Sequence, residues 1–171
     1  KKKIKYIFGV TGGGAMHLND SIGKSTKINF ILHHHEQAAT MAAESYFRVT
    51  KKIGVVQVTT GPGGTNTLTG VAGAWIDSIP MLIISGQVAK KDMINRTKTR
   101  QIGVQEMNII DLVKPITKYA KIVKKPNDIL FEMNKAIEIA HSGRPGPVWL
   151  DIPLDVQSTK INDKALKKFK N

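Results

Sequence analysis

Apolar runs of strand length alternate along this chain with longer segments that carry helical spacing. The strand-like runs cover residues 4–10, 28–33, 53–60, 81–88, 118–123 and 147–152. Several are apolar throughout, as in Met81-Leu82-Ile83-Ile84, and an unbroken run fits a strand covered by helices on both faces. Residues 36–49, 65–76 and 127–141 read as helices; Ala and Met dominate 37–48, which predicts close packing on most sides. The breaks fall at Gly and Pro clusters. Together these features predict an α/β fold: a central, mostly parallel sheet of about six strands with helices on both faces.

Residues 89–107 show no period and carry Lys90, Lys91, Arg96, Lys98 and Arg100 beside Gly103, so an exposed loop is expected there. After Pro153 the apolar pattern fades. The expected organisation is one domain over 1–155, followed by the Lys-rich start of a linker over 156–171 that leads to a further domain. A chain of 171 residues with 41% hydrophobic residues suffices for one core. No apolar run approaches the roughly 18 residues of a membrane span, and Lys1 to Lys5 leads into no signal-peptide block. A cytoplasmic protein with no membrane partner is expected.

The formal charge of +13 raises nucleic acid as a partner. The lysines concentrate at the two ends, where such runs are usually solvated, and no RNA-binding aromatic motif or zinc-finger spacing accompanies them. Nucleic-acid binding is therefore not expected. The absence of cysteine excludes thiolate nucleophiles and cysteine-ligated metal centres.

Two glycine-rich loops follow strand-like runs and are the places to look for ligand chemistry. Thr11-Gly12-Gly13-Gly14-Ala15 lacks the G-x-G-x-x-G spacing, because the third glycine would fall at His17. Gly23-Lys24-Ser25 ends like a phosphate loop, but the opening glycine would fall at Leu18. The second loop, Thr59-Thr60-Gly61-Pro62-Gly63-Gly64-Thr65-Asn66, reads either as a ligand platform or as a tight turn with Thr65 or Asn66 capping a helix. His33-His34-His35 does not suit a metal, since consecutive side chains at a strand end point to opposite faces. Glu36, taken alone, is an acid at a helix start that complements the dipole by a few tenths to about 1 kcal/mol. Glu44 lies roughly 12 Å further along that helix and is no partner for a two-carboxylate mechanism.

Taken in order, the motifs resemble the N-terminal domain of acetolactate synthase and related thiamine-diphosphate-dependent decarboxylases and carboligases. The series runs Phe8-Gly9-Val10-Thr11-Gly12-Gly13, His35-Glu36-Gln37-Ala38, Met41 through Tyr46, Thr60 through Asn66, Asp77-Ser78-Ile79-Pro80, Ser85-Gly86-Gln87-Val88, Gln105-Glu106, Arg144 through Val148, and Asp151-Ile152-Pro153. It covers almost the whole chain. The chain departs from the family's pattern at Thr11, where proline is usual, and at Val104, where an aromatic residue is usual.

The resemblance implies that Glu36 is catalytic, hydrogen-bonding N1' of the cofactor's aminopyrimidine so that N4' can remove the proton from thiazolium C2. It places Gly61, Pro62, Gly63, Asn66 and Gly12 around the pyrimidine, and Gly13, His17 and Gln105 near the reacting substrate. It implies thiamine diphosphate as cofactor, with its diphosphate and Mg²⁺ held by a C-terminal domain of the same or a partner chain through a Gly-Asp-Gly motif that this sequence lacks. A flavin (FAD), where the family uses one, lies outside this stretch. The implied activity is decarboxylation of a 2-keto acid and transfer of its acyl fragment to a keto acid or keto sugar, in a homodimer or homotetramer. The chain by itself is expected to be inactive. Two other readings stay open: the small subunit of a two-chain keto-acid decarboxylase, and a non-catalytic basic binding module.

Overall fold

The strands with the most uniformly apolar sequence take the middle of the sheet. In the computed structural model, which describes residues 4–94, 99–162, 166 and 169, β1 (Tyr6–Gly9), β2 (Asn29–Leu32), β3 (Gly54–Val58), β4 (Met81–Gln87), β5 (Tyr119–Ile122) and β6 (Val148–Pro153) pair in the order β2-β1-β3-β4-β6-β5. All neighbours are parallel. Every residue of β3, β4 and β6 is buried, whereas the edge strands β2 and β5 are largely accessible. Each strand found lies within, or one residue beyond, its expected run, and the α/β architecture matches the expectation.

Parallel neighbours need crossovers, and these supply the outer layers. The helices are α1 (Met16–Gly23), α2 (Glu36–Thr50), α3 (Pro62–Thr65), α4 (Leu68–Ile76), α5 (Ile109–Val113), α6 (Ile129–His141) and α7 (Leu154–Gln157). Alternate strand residues face opposite layers. Val56, Val58, Met81, Ile83 and Trp149 pack with Ala39 and Ala43 of α2, Val71 and Ala74 of α4, and α5. Val55, Leu82, Ile84, Val148 and Leu150 pack with Ala136 and Ala140 of α6, Val156 of α7, and Leu18 and Ile22 of α1. Full burial of a large apolar side chain such as Leu82 or Ile83 contributes about 1.5–3 kcal/mol.

Several expectations change. The single helix expected over 65–76 is two, because α3 starts early on Pro62, whose missing N–H suits a first helical position, and the chain breaks at Asn66 and Thr67. Asn66 is the C-cap of α3, and neither it nor Thr65 caps the start of α4. Helix α2 is closely packed on one side only: Gly70 of α4 sits where a Cβ would overlap Thr40, while Met41 and Val49 are exposed. Packed structure continues through α7, whose Val156 is buried and whose Gln157 holds Gly14. The loop over 89–107 is not wholly exposed, since Gly103 and Glu106 are buried; Arg96 and Lys98 lie outside the described residues. Among the described residues no helix is long and apolar enough to cross a membrane.

Candidate functional site

The strand order reverses direction at β1, whose chain continues to β2 on one side while β3 pairs on the other. Loops leaving the carboxyl ends of β1 and β3 diverge there, opening the crevice in which parallel α/β sheets bind ligands. Both glycine-rich loops occupy that position. They meet on Thr59: its Oγ1 accepts a hydrogen bond from Gly14 N at 3.0 Å, and a Cβ at Gly12 or Gly63 would lie 2.5 or 2.7 Å from its side chain. Thr60 Oγ1 donates to Gly86 O at 3.1 Å, tying the second loop to β4. Asn19 Nδ2 donates to Gly12 O and Gln157 Nε2 to Gly14 O, so the first loop is held from α1 and α7 as well.

Glu36 enters this crevice from the start of α2. The helix is capped by His35, whose Nδ1 accepts from Gln37 N at 3.1 Å. The Glu36 side chain is not turned to solvent as a simple dipole partner would be. It is 8% exposed, and its Oε2 accepts a hydrogen bond from Asn66 Nδ2 at 2.9 Å, thirty residues away on the second glycine loop. A Cβ at Gly63 would stand 3.6 Å from the other oxygen, Oε1, which accepts no hydrogen bond among the described residues. The loop is thus cut away beside one free carboxylate oxygen while the other is fixed.

Gly61 has φ +60° and ψ −111°, and a Cβ there would overlap the carbonyl oxygen of Gln105. Gln105 is itself left-handed at φ 58° and exposed. Of the candidates read from the sequence, the structure therefore joins Glu36, Gly63 and Asn66 directly, Gly12 through Thr59, and Gly61 with Gln105. Pro62 is exposed at the first position of α3. Gly13 is exposed with nothing near the position of an added Cβ, and His17 is half-buried in the first turn of α1. Their link to the crevice is one of chain position alone. Glu44 turns instead to Arg48 in an exposed ion pair.

Four residues beside the site stand in the quoted motifs but were given no role from the sequence. Thr59 is the first, placed directly before Thr60 and Gly61. Glu106 gathers the backbone N–H groups of Ile94, Ile102 (3.1 Å) and Gly103 (3.3 Å), which ties all three to one buried carboxylate. Asp151, 1% exposed on β6, accepts from Ser85 Oγ at 2.5 Å and from Gln87 Nε2 at 2.9 Å. Burial pushes its carboxyl up to about 7 against the lowering pull of those two donors. Gln87 Nε2 also donates to Met107 O at 3.0 Å. Among the described residues no three His, Asp or Glu side chains form a metal cluster; the histidines in sequence turn apart, His33 toward Ile31 O and Phe8, His35 into the helix cap.

Comparison with known proteins agrees with this geometry. The family described as "Thiamine pyrophosphate enzyme, N-terminal TPP binding domain" matches residues 1–112. The acetolactate synthase large subunit of Buchnera aphidicola from Acyrthosiphon pisum is 45% identical over 166 residues, which is 97% of this chain and 28% of the relative. The large subunit of Escherichia coli acetolactate synthase isozyme 3 is 40% identical over 156 residues, covering 90% of this chain and 26% of that protein. The mitochondrial acetolactate synthase catalytic subunit of Saccharomyces cerevisiae is 41% identical over 166 residues, with 95% and 23% covered. The chain spans 23–28% of the length of these relatives. With a family match over most of its length and crevice loops at the switch point of a parallel sheet, the chain belongs to the thiamine pyrophosphate enzymes and carries their N-terminal TPP-binding domain.

Proposed function

We propose that this chain binds the pyrimidine end of thiamine diphosphate for an acetolactate-synthase-like carboligase, with Glu36 as its catalytic carboxylate. The observation that carries the reading is the buried Glu36 carboxylate, which the exposed Asn66 fixes through one oxygen while the other lies beside Gly63. That arrangement fits an aromatic nitrogen partner: one acceptor oxygen is free, and the glycine keeps its approach clear. Glu36 would hold a proton at pyrimidine N1', and Asn66 would keep the carboxylate from rotating away. Gly61, Pro62 and Gly63 would form the wall beside the ring, with Gly12 on the opposite loop. Gly13, His17 and Gln105 are the substrate-side residues. The cofactor, when bound, supplies the electron sink for decarboxylation of a 2-keto acid.

The diphosphate and Mg²⁺ are assigned to a C-terminal domain of the same or a partner chain, in a homodimer or homotetramer, and FAD, where used, to other parts of the protein. The acetolactate synthase relatives, 40–45% identical over 90–97% of this chain, favour a carboligase over a basic binding module. The test is titration of the intact protein with thiamine diphosphate and Mg²⁺, followed by pyruvate consumption. Saturable binding and acetolactate or a related acyloin as product is the expected result. Binding without keto-acid turnover overturns the carboligase reading, and absence of binding overturns the site.

A further inference from the structure

A buried polar line that the proposed chemistry does not use ends on the loop carrying Gln105. Trp149 Nε1 donates to Ser85 Oγ at 2.8 Å, Ser85 Oγ donates to Asp151 Oδ1, and Gln87 Nε2 donates to both Asp151 Oδ2 and Met107 O. We propose that Asp151 and Gln87 are positioning residues, which fix the backbone of residues 103–107 and thereby hold Gln105 in place for the substrate. The inference rests on the site reading above.

The line has a direction. Both neighbours of Asp151 donate to it, and the amide of Gln87 has no freedom to reverse, because its Oε1 accepts from Val88 N at 2.9 Å. The pattern is complete only for an ionised carboxylate. A proton on Oδ2 would face the Gln87 amide hydrogens; a proton on Oδ1 would face the hydroxyl hydrogen that Ser85 points at it. The first displaces the Gln87 amide, which also holds Met107 O, and the second turns the Ser85 hydroxyl away. From there the constraint is backbone: Met107 follows Glu106, whose carboxylate ties the amides of Ile94, Ile102 and Gly103, and Glu106 follows Gln105, whose carbonyl abuts Gly61.

Among the described residues no cation balances Asp151. The charged groups on surrounding elements are engaged elsewhere: Asp111 of α5 with Lys114 and Asn108, Lys121 of β5 with Glu132 of α6, Asp155 of α7 with Lys90, and Glu106 with the loop amides. Burial of the lone carboxylate brings its titration to about 7, so the latch loosens as pH falls through neutrality.

The experiment compares the intact protein with Asp151→Asn and Gln87→Met, both close in size to the original. Three quantities are read: deuterium exchange at cofactor C2, KM and kcat for the acceptor across pH 5.5–8.5, and amide exchange at residues 102–107. C2 exchange should stay near the wild-type rate, since Glu36 is untouched. Amide exchange at 102–107 should rise about tenfold on loss of one buried hydrogen bond. The acceptor KM should rise by a similar factor, and the bend in the wild-type pH profile near neutrality should vanish in Asp151→Asn. Unchanged amide exchange and unchanged acceptor KM in both variants overturn the proposal. So does parallel loss of C2 exchange and acceptor kinetics, which would make the network part of the cofactor site. If wild type itself fails to exchange C2, the site reading falls, while amide exchange at 102–107 still decides the positioning role.

Discussion

Replacing Gly61 with alanine tests whether the glycine wall is built by backbone necessity. At φ +60° and ψ −111° the residue occupies a region that L side chains rarely adopt, which costs about 1–3 kcal/mol for alanine. The added methyl also overlaps the Gln105 carbonyl oxygen, and this contact is backbone, so no side chain can rotate aside. Gln105 is left-handed as well, and its neighbours are tied through Glu106 and Met107, so relief requires moving a fixed loop. Overpacking of this kind costs about 1–3 kcal/mol. The two effects sum to about 2–6 kcal/mol, a large share of the roughly 5–15 kcal/mol that stabilises a domain. Urea unfolding of the intact protein, followed by near-ultraviolet circular dichroism, reads the change. Gly13→Ala is the control: nothing lies near its added methyl and its φ is ordinary, so its stability should stay within about 0.5 kcal/mol of wild type. A Gly61→Ala protein as stable as wild type, or a Gly13→Ala protein equally destabilised, would refute the reasoning.

Asp151 gives a pH signature in stability. Its folded titration at about 7 lies above the unfolded value of about 3.9, so its contribution is full below about pH 4 and is lost as pH rises through about 7. The span corresponds to about 4 kcal/mol, and urea titrations from pH 4 to 8 should show that decline in wild type but not in Asp151→Asn; parallel curves contradict it. Glu106→Ala strips three backbone N–H groups of their acceptor and should cost about 2–4 kcal/mol in urea unfolding, with faster amide exchange at Ile102 and Gly103. Asn66→Ala removes the donor to Glu36 and should weaken thiamine diphosphate binding in isothermal titration while leaving the unfolding midpoint within a few degrees.

The strands were legible because burial on both faces writes an unmistakable sequence, as in Met81 to Ile84. Helix α1 was not, since none of its residues is buried and only Leu18 and Ile22 pack partly on the core, and α5 and α7 are too short for a period to develop. The break between α3 and α4 falls at Asn66 and Thr67, both near helical dihedrals, and no glycine or proline marks it in the sequence. At the site, Glu36 and Gly61 to Asn66 stood out through order and motif. Thr59, Glu106, Asp151 and Gln87 act through contacts 12 to 66 residues distant, and their polar side chains look ordinary until the sheet brings them together.

The account turns on Glu36, and hydrogen–deuterium exchange at C2 of thiamine diphosphate bound to the intact protein measures its action before any substrate enters. Glu36→Gln keeps the size and the contact with Asn66 but supplies no carboxylate. Exchange at C2 should fall by about a hundredfold or more, with the unfolding free energy within about 1 kcal/mol of wild type. Wild-type C2 exchange in the folded, cofactor-bound Glu36→Gln protein would contradict the assignment.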